Sequence, residues 1–178
     1  MATPVALILT DATLKISSDN TTANLKDLGC VTTHIELAPD TNVTTVDTLC
    51  GSTDYKGTTK WTLTCTLVQS FDVGATEEVL SAAVAAATPV AFQILPHKSQ
   101  AISATNPTWT GLCVPRPYAP VNGDAGAASE ISIEWGLVGP PVKTTTGSIP
   151  AIAGVEEEAT VTTAPAPMSA PNPASAGA

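Results

Sequence analysis

The residues able to do chemistry are few and scattered. The 178-residue chain has two histidines and four cysteines, and its 16 acidic residues outnumber the seven Lys and Arg. His34 lies in an alternating run and points with Thr32 and Glu36, away from the apolar side, so it reads as a surface side chain. His97 precedes Lys98 in a loop-like stretch. Neither has neighbours at metal-ligand spacing, so no metal or other cofactor is expected. Cys30, Cys50, Cys65 and Cys113 fit no paired-ligand or redox spacing. Cys65 falls on an apolar strand face, where a thiol acts as a small hydrophobe. No nucleophile elbow or phosphate-binding glycine loop occurs. The carboxylates fall on turns and polar faces, with nothing local to pair them for acid–base work. Trp61, Trp109 and Trp135 all sit on apolar faces and read as core residues. No catalytic constellation assembles from these groups, and the expectation is a protein that is not an enzyme.

The bulk properties narrow the class further. A formal net charge of −9 leaves too few cations for a broad basic patch, which argues against tight DNA binding. Hydrophobic residues make up 43% of the chain, enough for a packed core. Thr and Val are abundant and favour pleated, half-buried surfaces. No apolar run approaches the roughly 18 residues of a membrane span, and no membrane partner is expected. Val5 to Leu9 is short and lacks the preceding cation of a secretory signal, so synthesis in a cytoplasm is expected.

The elements that would position any site are mostly strands. The central stretch is Thr59 to Leu95. It opens with a strand in which Trp61, Leu63, Cys65 and Leu67 face one way and Lys60, Thr62, Thr64 and Thr66 the other. Thr76 to Ala87 follows as a short helix, with Glu77 and Glu78 at its positive end and an apolar stripe of Leu80, Ala83, Val84 and Ala87. Pro89 to Leu95 is the next strand, with Val90, Phe92 and Ile94 inward. Earlier in the chain, Val5, Leu7 and Leu9 share a face, and Leu14 and Ile16 resume the alternation out of phase, which implies a bulge or break at Asp11-Ala12. Val31 to Leu37 is a clean strand ended by Pro39-Asp40; Asn42 to Leu49 is a second strand; Cys50 to Gly57 reads as a loop. Later, Gln100 to Ser103 could form a short strand. Pro107 to Tyr118 is extended, with Trp109, Gly111 and Cys113 opposite Leu112 and Val114. Glu130 to Val138 is the last strong strand: Ile131, Ile133, Trp135 and Leu137 face inward, Glu130, Ser132 and Glu134 outward. Gly139-Pro140-Pro141 ends the compact part.

The expected fold is therefore mainly β, a β-sandwich or small barrel with one short flanking helix. The domain is placed at residues 1–143. Residues 144–178 are rich in Pro, Ala and Thr and contain no Lys or Arg, the composition of an extended C-terminal arm or tail.

The element order around Lys60–Val68, the acid-started Ala-rich helix, Thr88-Pro-Val-Ala-Phe92, Asn106-Pro-Thr-Trp-Thr-Gly111 and Trp135-Gly-Leu-Val-Gly-Pro140 resembles the major tail tube proteins of long, non-contractile-tailed bacteriophages, particularly those of actinobacterial hosts. It covers about residues 5 to 142 and rests on soft patterns. The resemblance implies a structural subunit of a virion tail, assembled in the host cytoplasm. Six copies would form a ring whose inner sheets join around a channel, and rings would stack through loops and terminal arms. Its partners would be further copies of itself, the tape measure protein, the tail terminator and the distal tail protein. Genome DNA would pass without specific binding. The implied inner wall is Thr62, Thr64, Thr66, Glu130, Ser132 and Glu134, unless those faces meet solvent or the helix covers one of them. Val5, Leu7 and Leu9 are candidates for an intersubunit or ring-to-ring strand, or for an ordinary first core strand. The family's frequent C-terminal immunoglobulin-like domain has no room here. Rival readings are a tail terminator, connector or capsid decoration protein, and a carbohydrate- or host-surface-binding β-sandwich, which would need exposed Trp side chains.

Overall fold

A computed structural model describes residue 9 and residues 11–147. The strands are β1 (Thr13–Ile16), β2 (Lys26–Asp27), β3 (Thr32–Thr48), β4 (Gly51–Val68), β5 (Val90–Leu95), β6 (Thr108–Val114), β7 (Glu130–Leu137) and β8 (Val142–Thr144). A 3-10 turn, Gly29–Val31, joins β2 to β3, and helix α1 spans Thr76–Ala85. All eight strands belong to one antiparallel sheet in the order β2-β1-β5-β6-β7-β4-β3, with β8 added beside β6. β6 and β7 pair only through Cys113↔Leu137 and Val114↔Gly136. The sheet turns a corner there, and its two halves pack their apolar faces on one core. The fold is mainly β, as expected.

The alternation in the sequence accounts for that core. Leu63, Cys65 and Leu67 of β4 pair with Trp135, Ile133 and Ile131 of β7. From the other half come Leu14 and Ile16 of β1 opposite Ile94 and Phe92 of β5. These residues form one buried cluster together with Val79, Leu80 and Ala83 of α1. Gly111 of β6 faces Phe92, whose ring passes 2.9 Å from where a Cβ would stand, so a side chain there would displace the ring. Trp135 is buried and its indole N–H donates to the Arg116 carbonyl at 3.2 Å, while Trp61 and Trp109 are only half-buried.

Several expectations need correction. Asn42–Leu49 is not a separate strand: β3 runs unbroken from Thr32 to Thr48, with Pro39 opposite Trp61. Among the described residues β3 is the edge of the sheet, where a residue without an N–H is tolerated. Cys50–Gly57 is not a loop, because β4 begins at Gly51 and pairs with β3 up to Thr48↔Gly51. Gly51 has φ +131°, a value that favours glycine at so tight a reversal. The polar composition that signals a loop is here that of a hairpin exposed on both faces. Gln100–Ser103 forms no strand; it is a loop closed by Asn106, whose side-chain N–H₂ donates to the carbonyls of His97 and Gln100 at 2.9 and 3.1 Å. The helix stops at Ala85, so Ala87 is not part of its stripe, and Val79 is buried in its place. Leu112, expected opposite the Trp109–Cys113 face, is buried too, because both faces of β6 are largely covered. The chain also returns after Gly139-Pro140-Pro141 to add β8 to the sheet.

Candidate functional site

The six residues expected on one wall do lie together. Thr62, Thr64 and Thr66 of β4 stand beside β7 in the register Thr62↔Gly136, Thr64↔Glu134 and Thr66↔Ser132, with Glu130 opposite Val68 at the end of the row. Thr66 Oγ1 and Ser132 Oγ are 3.3 Å apart. Their side chains emerge on the side of the sheet opposite the core, since Leu63, Cys65, Leu67, Ile131 and Ile133 alternate with them and are buried. Helix α1 packs into the core cluster and leaves this face open. Glu130, Ser132 and Glu134 are exposed and the three threonines half-exposed.

β3 widens the face. His34, Glu36, Ala38 and Asp40 pair with Thr66, Thr64, Thr62 and Lys60. His34 Nε2 lies 3.7 Å from Glu36 Oε2. The rows Glu36–Thr64–Glu134 and His34–Thr66–Ser132 cross three strands. Four carboxylates, Glu36, Asp40, Glu130 and Glu134, stand on the face against the single lysine Lys60, so its field is negative. The wider face was hidden in the sequence because cross-strand register, unlike alternation along one strand, is not written locally.

The second feature is the arm. β7 covers β4 only from Thr62 to Val68. Beyond Lys60, among the described residues, the two strands of the hairpin pair only with each other, from Thr41↔Thr59 to Thr48↔Gly51. The register slips between Thr41 and Val43, a bulge that twists the arm. Val43, Val46 and Tyr55 are exposed along it, and Leu49 stands fully exposed at the tip. The polar side chains of the arm bond mainly within the hairpin: Thr45 Oγ1 donates to Asp54 at 2.6 Å, and Ser52 Oγ donates to Asp47.

Of the apolar N-terminal candidates, Val5 and Leu7 lie outside the described residues, as does the chain beyond residue 147. Leu9 is 51% exposed and lies at the mouth of an apolar cavity of about 270 Å³ bordered by Ile35, Leu37, Ile94 and Trp109. Asp11, two residues on, is tethered by three hydrogen-bond contacts. Asp11 accepts from Ser99 Oγ at 2.6 Å and lies 2.8 Å from His97 Nδ1, while Lys98 N–H donates to the Asp11 carbonyl at 3.0 Å. Hydrogen bonds from Ser99 and His97 hold the Asp11 carboxyl at about 2, below its ordinary 3.8. Asp27 is also held at about 2: burial opposes this, but Lys98 Nζ at 2.6 Å, Thr13 Oγ1 at 2.7 Å and the Gly29 N–H at 2.9 Å outweigh it. The sequence places His97-Lys98 in a loop-like stretch and carries no local trace of this contact, which spans 86 residues.

All four thiols are free. Burial pushes the Cys65 thiol up to about 12, and Cys113 is raised for the same reason. Cys30 and Cys50 are exposed. Among the described residues no three His, Cys, Asp or Glu side chains gather as a metal site. Among them, too, no helix is long and apolar enough to cross a membrane.

No protein-family model matches the chain, and no curated protein matches it by sequence. The fold does match. The structure of the tail of an empty GTA particle (a gene transfer agent), obtained by helical refinement with C6 symmetry, contains a chain that superposes with a TM-score of 0.59 at 10% identity. The match covers 79% of this chain and 100% of that one. At this identity the likeness speaks for the fold alone: the chain is built on the β architecture of a phage-like particle's tail.

Proposed function

We propose that the chain is the repeating structural subunit of a viral tail tube. Six copies form a ring, rings stack, and the polar face of β3, β4 and β7 lines a channel for genome DNA. The observation that carries this reading is the fold likeness to a C6-symmetric tail, which extends over the whole length of that tail's chain. The non-contractile tail type, the actinobacterial host, assembly in the host cytoplasm and contacts with tape measure, tail terminator and distal tail proteins belong to the same proposal.

The face has the chemistry a conduit needs. Its carboxylates repel phosphate, so no counterion-releasing contacts form that would hold the duplex. Its threonine hydroxyls are small, uncharged and hydrated, and offer a passing strand no lasting grip. The arm suits stacking. A two-stranded hairpin is marginal by itself in water, and the β3 residues from Thr41 to Thr48, at roughly 3.3 Å each, carry this one about 26 Å from the sheet. Its exposed Val43, Val46, Tyr55 and Leu49 find apolar cover on a neighbouring copy. Lateral ring contacts would also cover the open sheet edges.

Negative-stain electron microscopy of concentrated purified protein tests the reading. Rings or hollow tubes of constant width with six-fold end views are expected. A strictly monomeric protein at every concentration, or one that binds carbohydrate as a monomer, would sink it.

A further inference from the structure

The loop between β6 and β7 carries a reactive dipeptide, Asn122-Gly123. Both residues are exposed and belong to no helix or strand. Among the described residues the Gly123 N–H and the Asn122 side chain are free of hydrogen bonds, whereas the Asn122 main-chain carbonyl accepts from Ser129 Oγ at 2.5 Å. The loop closes tightly at this contact: a Cβ on Gly123 would stand 3.3 Å from Ser129 Cα. The other four described asparagines differ, each for its own reason. The N–H that follows Asn20, that of Thr21, donates to Asp19 at 2.9 Å. Asn24 donates its own amide to Asp19 at 2.6 Å. Asn42 lies within β3 and is followed by β-branched Val43. Asn106 is buried, its amide donates to the carbonyls of His97 and Gln100, and the Pro107 that follows has no N–H.

We propose that Asn122 is a site of self-modification: the Gly123 nitrogen closes on its side chain to a succinimide, water opens the ring to aspartate or isoaspartate, and Ser129 promotes the closure. The Gly123 N–H gives its proton to a solvent base, and the nitrogen attacks Cγ of Asn122. The N–Cγ bond forms, the Cγ–Nδ2 bond breaks, and Nδ2 leaves as ammonia after taking a proton from water. Water then adds to one of the two ring carbonyls. Cleavage at Cγ gives aspartate; cleavage at the main-chain carbonyl gives isoaspartate, with the chain running through the former side chain. Nothing is oxidised or reduced. Glycine permits the attack, since a side chain there would crowd the ring and restrict the backbone. As the Gly123 nitrogen loses its proton, negative charge spreads onto the Asn122 main-chain oxygen, the atom to which Ser129 Oγ donates. Asn122 lies across this bond from the residue that precedes Glu130, so the product sets a further negative charge beside the end of the β4–β7 face. In isoaspartate the main chain also gains a methylene, which displaces the carbonyl that Ser129 holds.

The test is incubation of the purified full chain at mildly alkaline pH, followed by mass spectrometry of its peptides. Acid forms should accumulate at Asn122, isoaspartate among them, while Asn20, Asn24, Asn42 and Asn106 keep their amides. Ser129→Ala should slow the reaction about tenfold, the effect of losing one hydrogen bond to a charged group, and Ser129→Thr, which keeps the hydroxyl, should stay close to the unsubstituted rate. In denaturant the unsubstituted and Ser129→Ala chains should react at the same rate, because the bond exists only in the fold. A stable Asn122 in the folded chain, or earlier conversion of any of the other four, overturns the proposal. So does a Ser129→Ala rate equal to or above the unsubstituted rate in the folded chain, or a difference between the two that persists in denaturant. The reaction belongs to the single subunit, so failure of ring assembly would leave it untouched.

Discussion

The two ends of one hairpin behave as different materials. At its root, β3 and β4 bury Leu63, Cys65 and Leu67 completely and share a core with β7, β5 and α1. In the arm beyond Lys60 the same two strands continue with the same pairing, yet no residue is buried. Backbone ladders are equivalent in both regions, so the ladder does not create the difference. It comes from whether a third layer covers one face. The root is held by burial of apolar area, the dominant favourable term in folding. The arm has no buried residue to add to this, and keeps its shape through hydrogen bonds of small net worth.

That contrast can be attacked directly. Leu63→Ala at the root removes a fully buried side chain and should destabilise the domain by about 2–5 kcal/mol, measured by chemical denaturation. A cost under about 1 kcal/mol would show that the root is not the anchor described. Replacing residues 42–58 with a two-residue Asn-Gly turn, which keeps Thr41 opposite Thr59, should leave the midpoint of thermal unfolding within a few degrees, because surface changes away from the core alter stability by only about 0.5 kcal/mol. The same protein should fail to form tubes by electron microscopy. Tubes of normal length would remove the arm from the stacking contact, and loss of folding would mean the arm stabilises its own subunit.

The cysteines report the same gradient chemically. In native protein a thiol reagent should label Cys50 at the arm tip and Cys30, and leave Cys65 and Cys113 unmodified until the chain is denatured. Rapid labelling of Cys65 would mean that the root opens as readily as the arm. The smallest effect concerns the clasp beside the root. A depressed carboxyl stabilises the fold fully above its unfolded value and loses that contribution as protons bind. For Asp11 the contribution is therefore present above 3.8 and lost as pH falls towards about 2. Asp11→Asn should reduce the drop in stability over that interval without abolishing it, since Asp19 and Asp27 titrate there too. An unchanged acid profile would show that the Asp11–His97–Ser99 contact does not persist in solution.

Legibility followed the same divide. The strands with one buried face, Lys60–Val68 and Glu130–Leu137, were readable because burial imposes a period of two on residue type, whereas Val90–Leu95 is buried on both faces and was legible as a short apolar run after Pro89. The outward placement of Thr62, Thr64, Thr66, Glu130, Ser132 and Glu134 followed as the complement of the buried positions of β4 and β7. The arm was misread because exposure on both faces removes that constraint: Gly51-Ser-Thr-Asp-Tyr-Lys-Gly57 has loop composition and strand structure. The Asp11–His97 clasp and the addition of β8 to β6 were unreadable, since they join residues far apart in sequence.

By itself the sequence determined the sidedness of the main strands, the single acid-started helix, the acidic balance and the absence of local catalytic or metal-binding motifs. Those properties arise from neighbours within a few residues, where steric period and side-chain chemistry act directly. Tertiary structure alone decided that β4 and β7 lie in register, that β3 brings His34, Glu36 and Asp40 onto the same face, and that the hairpin outruns the sheet. Each of these depends on which strands meet across space, and that choice is set by the sum of burial over the whole core.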